Sequence, residues 1–188
     1  MFIQTEQMPN PQTLKFLPGK VVMEEGTAFY QNIEEAGDSP FARRLFGIDG
    51  VTGVFFGSDF ITITKNESLE WQVMKPSVLG GIIDHFNSND KTVEKISSKE
   101  SEKSLAHKDD DSEIVKQIKE LLDTRVRPAV AMDGGDIIYN DFEDGVVYLK
   151  MQGACSGCPS STATLKMGIE NMLKHYIPEV QEVRPVDA

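Results

Sequence analysis

Cysteine is nearly missing from this chain: 188 residues hold two, Cys155 and Cys158. That excludes a disulfide framework, and one bridge across so short a loop would close little chain and add little stability. Long apolar runs are missing too. The longest span a few residues, such as Val54-Phe55-Phe56, against the roughly 20 that a membrane-crossing helix needs. Basic blocks are absent. The net charge is −11 and every long stretch is acidic, which excludes the cationic footprint of a nucleic-acid-binding protein. The N-terminus, Met1 to Glu6, opens on strand-like alternation and lacks the basic-then-apolar plan of a signal peptide and the Arg-rich plan of a transit peptide. The expectation is a bacterial cytoplasmic protein, or a mitochondrial matrix protein if the chain is a processed form.

The usual catalytic arrangements are lacking as well. No Ser–His–Asp set, phosphate-cradling glycine loop or paired carboxylates emerge from the spacing, so no enzymatic activity is expected. The three histidines, His85, His107 and His175, are scattered and read as structural or solvated. Asp38, Asp49 and Asp59 sit at caps and turns.

What is there divides into three. Residues 87–112 carry 12 charged side chains and six serines against four apolar ones, too little apolar surface to offset the ordering entropy of a fixed conformation. They are expected to form a flexible polar linker between two small α+β domains, 1–86 and 113–188. In the first, strands are predicted near Phe2–Thr5 and Thr13–Leu17, then a helix capped by Ser39 with Pro40 in its first turn. A hairpin of Gly50–Phe56 and Phe60–Thr64 follows, and a helical region over Ser68–Phe86 broken or restarted at Pro76. In the second, Ser112 caps a helix of period-matched Ile114, Val115, Ile118, Leu121, Leu122 and Val126, stopped at Arg127-Pro128. Strands Asp136–Phe142 and Val146–Met151 meet at Asp144-Gly145, a helix covers Ser160–Tyr176 and a strand Val180–Val186. The order is α-β-β-α-β. Asp133-Gly134-Gly135-Asp136 has two readings, a turn between helix and strand, the commoner case, or the floor of the cysteine site, where glycines permit close backbone approach and carboxylates repel competing anions; Met167 and Met172 read as core packing.

Cys155 and Cys158 lie two apart in Gly153-Ala154-Cys155-Ser156-Gly157-Cys158-Pro159, between a strand and a helix. The spacing suits a soft metal or dithiol redox chemistry. The helix start is expected to favour thiolate, making both sulfurs easy to deprotonate, and the glycines let backbone approach the sulfurs. Neither thiol is expected to fill a core. Two thiolates fall short of the four ligands that zinc or a cubane cluster takes, so a second copy of the chain is the simplest source of the rest. Three readings compete: one [4Fe–4S] cluster shared between two protomers, a thioredoxin-like dithiol, and zinc bridging two chains.

Asp133-Gly134-Gly135-Asp136-Ile137, with Leu149 to Ser161, resembles the C-terminal domain of the NifU family. Met1–Phe86, with Pro9-Asn10-Pro11 and Leu14-Lys15-Phe16-Leu17-Pro18-Gly19, is similar to the N-terminal domain of Nfu-type iron–sulfur proteins. The likeness covers all but the linker, and the two halves in this order are more specific than the cysteine spacing alone. It implies a non-enzymatic scaffold or carrier that holds a [4Fe–4S] cluster between two subunits, receives it from upstream assembly proteins and delivers it to recipient apo-proteins. The family's ligand pair falls on Cys155 and Cys158.

Overall fold

The computed structural model describes residues 1–88, 90–93, 112–156 and 159–186, with the side chains of 159–161 left out. The chain forms two compact units, Met1–Ser98 and Lys99–Ala188, each with its own core. Both combine helices with a sheet, so the α+β class holds.

In the first unit, β1 (Gln4–Gln7), β2 (Thr13–Leu17), β3 (Ala28–Tyr30), β4 (Val51–Phe56) and β5 (Ile61–Lys65) make one antiparallel sheet in the order β1-β2-β5-β4-β3. Helices α1 (Pro40–Phe46) and α2 (Trp71–Ser88) join it around a core that includes Phe16, Phe41, Leu45, Phe56, Ile61, Ile63 and Ile82. Strand alternation places Leu14 and Phe16 in that core. Between them Lys15, also buried, sets its ammonium 4.6 Å from the Phe60 ring centre and 3.6 Å from Glu6. As expected from sequence, the Ser39 hydroxyl accepts from the Ala42 amide at 3.0 Å to cap α1. β1 begins two residues later than expected, and β3 was not anticipated because three residues give alternation too little length to register.

Two differences concern α2. Pro76 lies inside it without breaking it, since a proline near a helix start forfeits a single backbone bond. The helix also runs on to Ser88, into the stretch read as linker. Beyond it the chain folds back: Arg44 meets Asp90 at 3.5 Å, the Ser39 hydroxyl donates to the Thr92 carbonyl, and Val93 packs against the core. The remainder of the expected flexible linker, Asn89 and 94–111, lies outside the described residues.

In the second unit α3 (Glu113–Leu121) is capped by Ser112, passes through a π turn (Leu122–Val126) and continues as α4 (Arg127–Met132). The helical run therefore does not stop at Arg127-Pro128. The Arg127 amide reaches back five residues to the Leu122 carbonyl, and this widened turn carries the chain past the proline, which then sits in the first turn of α4 where no amide donor is needed. Strand β6 (Gly135–Glu143) pairs antiparallel with β7 (Val146–Gly153) across Asp144 and Gly145, both at positive φ (49° and 80°). Helix α5 (Pro159–Tyr176) then crosses over to β8 (Glu182–Val186), parallel to β7. The sheet order is β6-β7-β8. Ile118, Leu122, Val126 and Val130 from the first helical run meet Ile137, Val147, Leu149, Ile169, Leu173 and Val183 in one core.

Candidate cysteine site

The β7–α5 connection, at the carboxyl end of a strand in a parallel βαβ unit, carries the cysteines, a position where such sheets commonly bind ligands. Cys158 lies outside the described residues. Cys155 is a free thiol, 5% exposed, packed in the core of the second unit. The loop is tied down by short bonds. The Ser156 amide and hydroxyl both donate to the Gly153 carbonyl (3.1 and 2.9 Å), and the Thr162 hydroxyl on α5 donates to the Cys155 carbonyl at 3.2 Å.

The floor of the site comes from the Asp133-Gly134-Gly135-Asp136 segment, as the second of its two readings has it. Gly134 accepts from the Ala154 amide at 3.2 Å, and Gly135 pairs with Gly153 across β6 and β7. A Cβ on Gly135 would stand 2.6 Å from the Cys155 sulfur and 2.6 Å from the Gln152 carbonyl oxygen. Backbone therefore comes within contact range of the sulfur only because residue 135 has no side chain.

Next to it stands a buried ion pair. The Arg127 guanidinium grips Asp136 with both ends, Nε to Oδ1 and Nη2 to Oδ2, each at 2.9 Å, and its Nη1 reaches Asp123 Oδ1 at 3.2 Å. Asp136 Oδ1 also accepts from the Ile137 amide at 2.8 Å. Hydrogen bonding to Asp136 holds Arg127 above its ordinary pKa and therefore charged. Asp136 belongs to the segment singled out in the sequence; Arg127 appeared there only as a helix stop, and no signal announced their pairing.

Burial reverses the expected ionisation. The Cys155 thiol is pushed up to about 12, first by desolvation and then by the negative charges of Asp133 and Asp136. A thiol this protonated is a poor nucleophile. The expectation that no core needs these thiols also fails for Cys155, which is part of one.

Met172 packs against the core as expected, but Met167 is 65% exposed, because α5 turns that face to solvent. His85 is structural: it is 2% exposed and lies flat on the Phe41 ring, centroids 3.7 Å apart. Among the described residues no three His, Cys, Asp or Glu side chains converge as a metal set, and no helix is long and apolar enough to cross a membrane.

An antiparallel α+β unit followed by a βαβ unit that sets a buried cysteine over a glycine floor defines a two-unit α+β protein with a thiol site. Residues 3–89 match the family described as "Scaffold protein Nfu/NifU N terminal", and residues 118–184 match the "NifU-like domain". The human "NFU1 iron-sulfur cluster scaffold homolog, mitochondrial" is 53% identical over 187 residues, covering 99% of this chain and 72% of that protein. "NifU-like protein 4, mitochondrial" of Arabidopsis thaliana is also 53% identical, over 97% of this chain and 65% of that protein. A solution structure of a NifU-like protein from Saccharomyces cerevisiae shares 24% identity at a TM-score of 0.46, covering 50% of this chain and 86% of that one. The chain belongs to the Nfu-type family of iron–sulfur cluster scaffold proteins. The expectation of a bacterial cytoplasmic protein is corrected by these relatives, which are named as mitochondrial.

Proposed function

We propose that the chain is a carrier and not an enzyme: it holds one [4Fe–4S] cluster between the Cys155 and Cys158 thiolates of two subunits and passes it to recipient apo-proteins. The observation that carries this reading is the Cys155 thiol lying against the glycine backbone of Gly135. Such a floor brings backbone close to the sulfur, and hydrogen bonds from backbone are one of the levers a protein has on a cluster. The ligand count supports a shared site, since one chain has only two cysteines and a cubane takes about four thiolates. A cluster held on a two-fold axis is given up as the subunits part. The dithiol redox reading is disfavoured by the buried, protonated Cys155, because exchange needs an accessible thiolate.

Anaerobic reconstitution with iron and sulfide, followed by iron, sulfide, zinc and mass determination, tests the proposal. About two irons and two sulfides per chain in a dimer are expected. A monomer without metal, or a dimer holding zinc alone, would overturn it.

A further inference from the structure

We infer that Arg127 is a positioning residue for the cysteine loop, acting through Asp136 to hold the Gly134–Gly135 floor against Cys155. Three observations converge. The first is location: Arg127 opens α4 directly after the π turn, and Asp136 is the second residue of β6, next to the glycine that touches the sulfur. Between them the backbone makes its tightest excursion in the unit, from α4 through Gly134 at a φ of 75° into β6. The two-pronged bond at 2.9 Å closes the base of that excursion, so the floor cannot rise or swing without breaking it.

The second is specificity of shape. The Asp136 carboxylate is 4% exposed and takes two guanidinium nitrogens and a backbone amide. Replacing both partners of such a buried pair by apolar residues is often neutral or better for stability, so stability alone does not require this pair. A planar fork does what an apolar contact does not, fixing angle as well as distance. The third is the π turn itself. It ends where Arg127 begins, and from there the guanidinium reaches both Asp123, four residues earlier, and Asp136. π turns of this kind gather at functional sites.

The consequence for cluster holding rests on the proposed function, whereas the consequence for the thiol does not. In the full chain without cluster, alkylation of Cys155 by iodoacetamide, read by mass spectrometry, reports whether the floor still covers the sulfur. Arg127→Gln is expected to raise that rate about tenfold, and to speed cluster loss to a chelator from the reconstituted protein about tenfold, the usual scale for a residue supporting a ligand. Val183→Ala, a core cavity on β8, provides a control of comparable destabilisation. Arg127→Lys keeps the charge without the fork and remains folded if Arg127→Gln does not; its alkylation is expected to be faster than the parent's at an unchanged melting temperature. Alkylation of Arg127→Lys or Arg127→Gln at the parent rate, or an equal rise in Val183→Ala, would overturn the inference. Faster alkylation in the Arg127 variants, with a parent protein that takes up no cluster, would leave the positioning role standing and sink the carrier reading.

Discussion

Gly135 is the residue on which the site turns. A methyl group there would stand 2.6 Å from the Cys155 sulfur and from the Gln152 carbonyl, closer than atoms pack, and the carbonyl belongs to a paired strand. Gly135→Ala is therefore expected to lower the stability of the second unit by about 2 kcal/mol, as overpacking does, and to reduce cluster loading, both measurable by melting and iron content. At His85 the prediction concerns pH. Burial first, and the Arg44 charge second, push its pKa down to about 4 from an ordinary value near 6.5. The folded ring stays neutral while the unfolded ring takes a proton, so the first unit loses stability as pH falls from about 6.5 towards about 4, by at most about 3 kcal/mol. Trp71, the chain's one tryptophan and part of that unit, reports its urea unfolding. His85→Phe should flatten the dependence, and an unchanged slope would place the acid sensitivity elsewhere.

Among the elements, α2 and the α3–α4 run show what prolines and glycines do in helices. Gly80 sits in α2 with nothing within 4 Å of where a Cβ would be. Gly80→Ala should thus stabilise the first unit by about 0.5–1 kcal/mol through propensity alone, seen as a later Trp71 transition; a destabilised protein would mean that the face is occupied. Capping, hairpin and amphipathic signals were strong enough to place α1, α3, β4, β5, β6, β7 and α5 to within a few residues. Pro76 and Pro128 were over-read as stops. A proline ends a helix only where the missing amide and the ring clash have no local remedy. At Pro76 the helix tolerates the loss of one backbone bond inside it, and a five-residue turn supplies a remedy at Pro128.

For the whole molecule the two cysteines separate structure from cargo. Cys155 fills core space, so Cys155→Ser should both remove cluster binding and lower stability by about 1–2 kcal/mol, the cost of a buried hydroxyl lacking partners; Cys155→Ala isolates the packing part. Cys158→Ser should abolish the cluster and the dimer it holds, because the variant dimer keeps only two thiolates, one Cys155 per chain, where a cubane takes about four. Mass measurement and absorbance of the reconstituted protein decide it, and a Cys158→Ser dimer with a full cluster would defeat the shared-ligand proposal.

The sequence by itself determined the α+β class, the two-block order, the α-β-β-α-β path of the second unit and the pair of thiols too few to complete a site alone. These follow from local periodicity, turn chemistry and ligand counting, all written in neighbouring residues. Only the tertiary structure decided that Cys155 is buried and protonated, that Gly135 is its floor, and that Arg127 and Asp136 brace that floor. Desolvation, close approach and a charged fork depend on what β6, β7 and α4 bring together, Arg127 with Asp136 across nine residues and Gly135 with Cys155 across about 20, and no spacing within one segment encodes that.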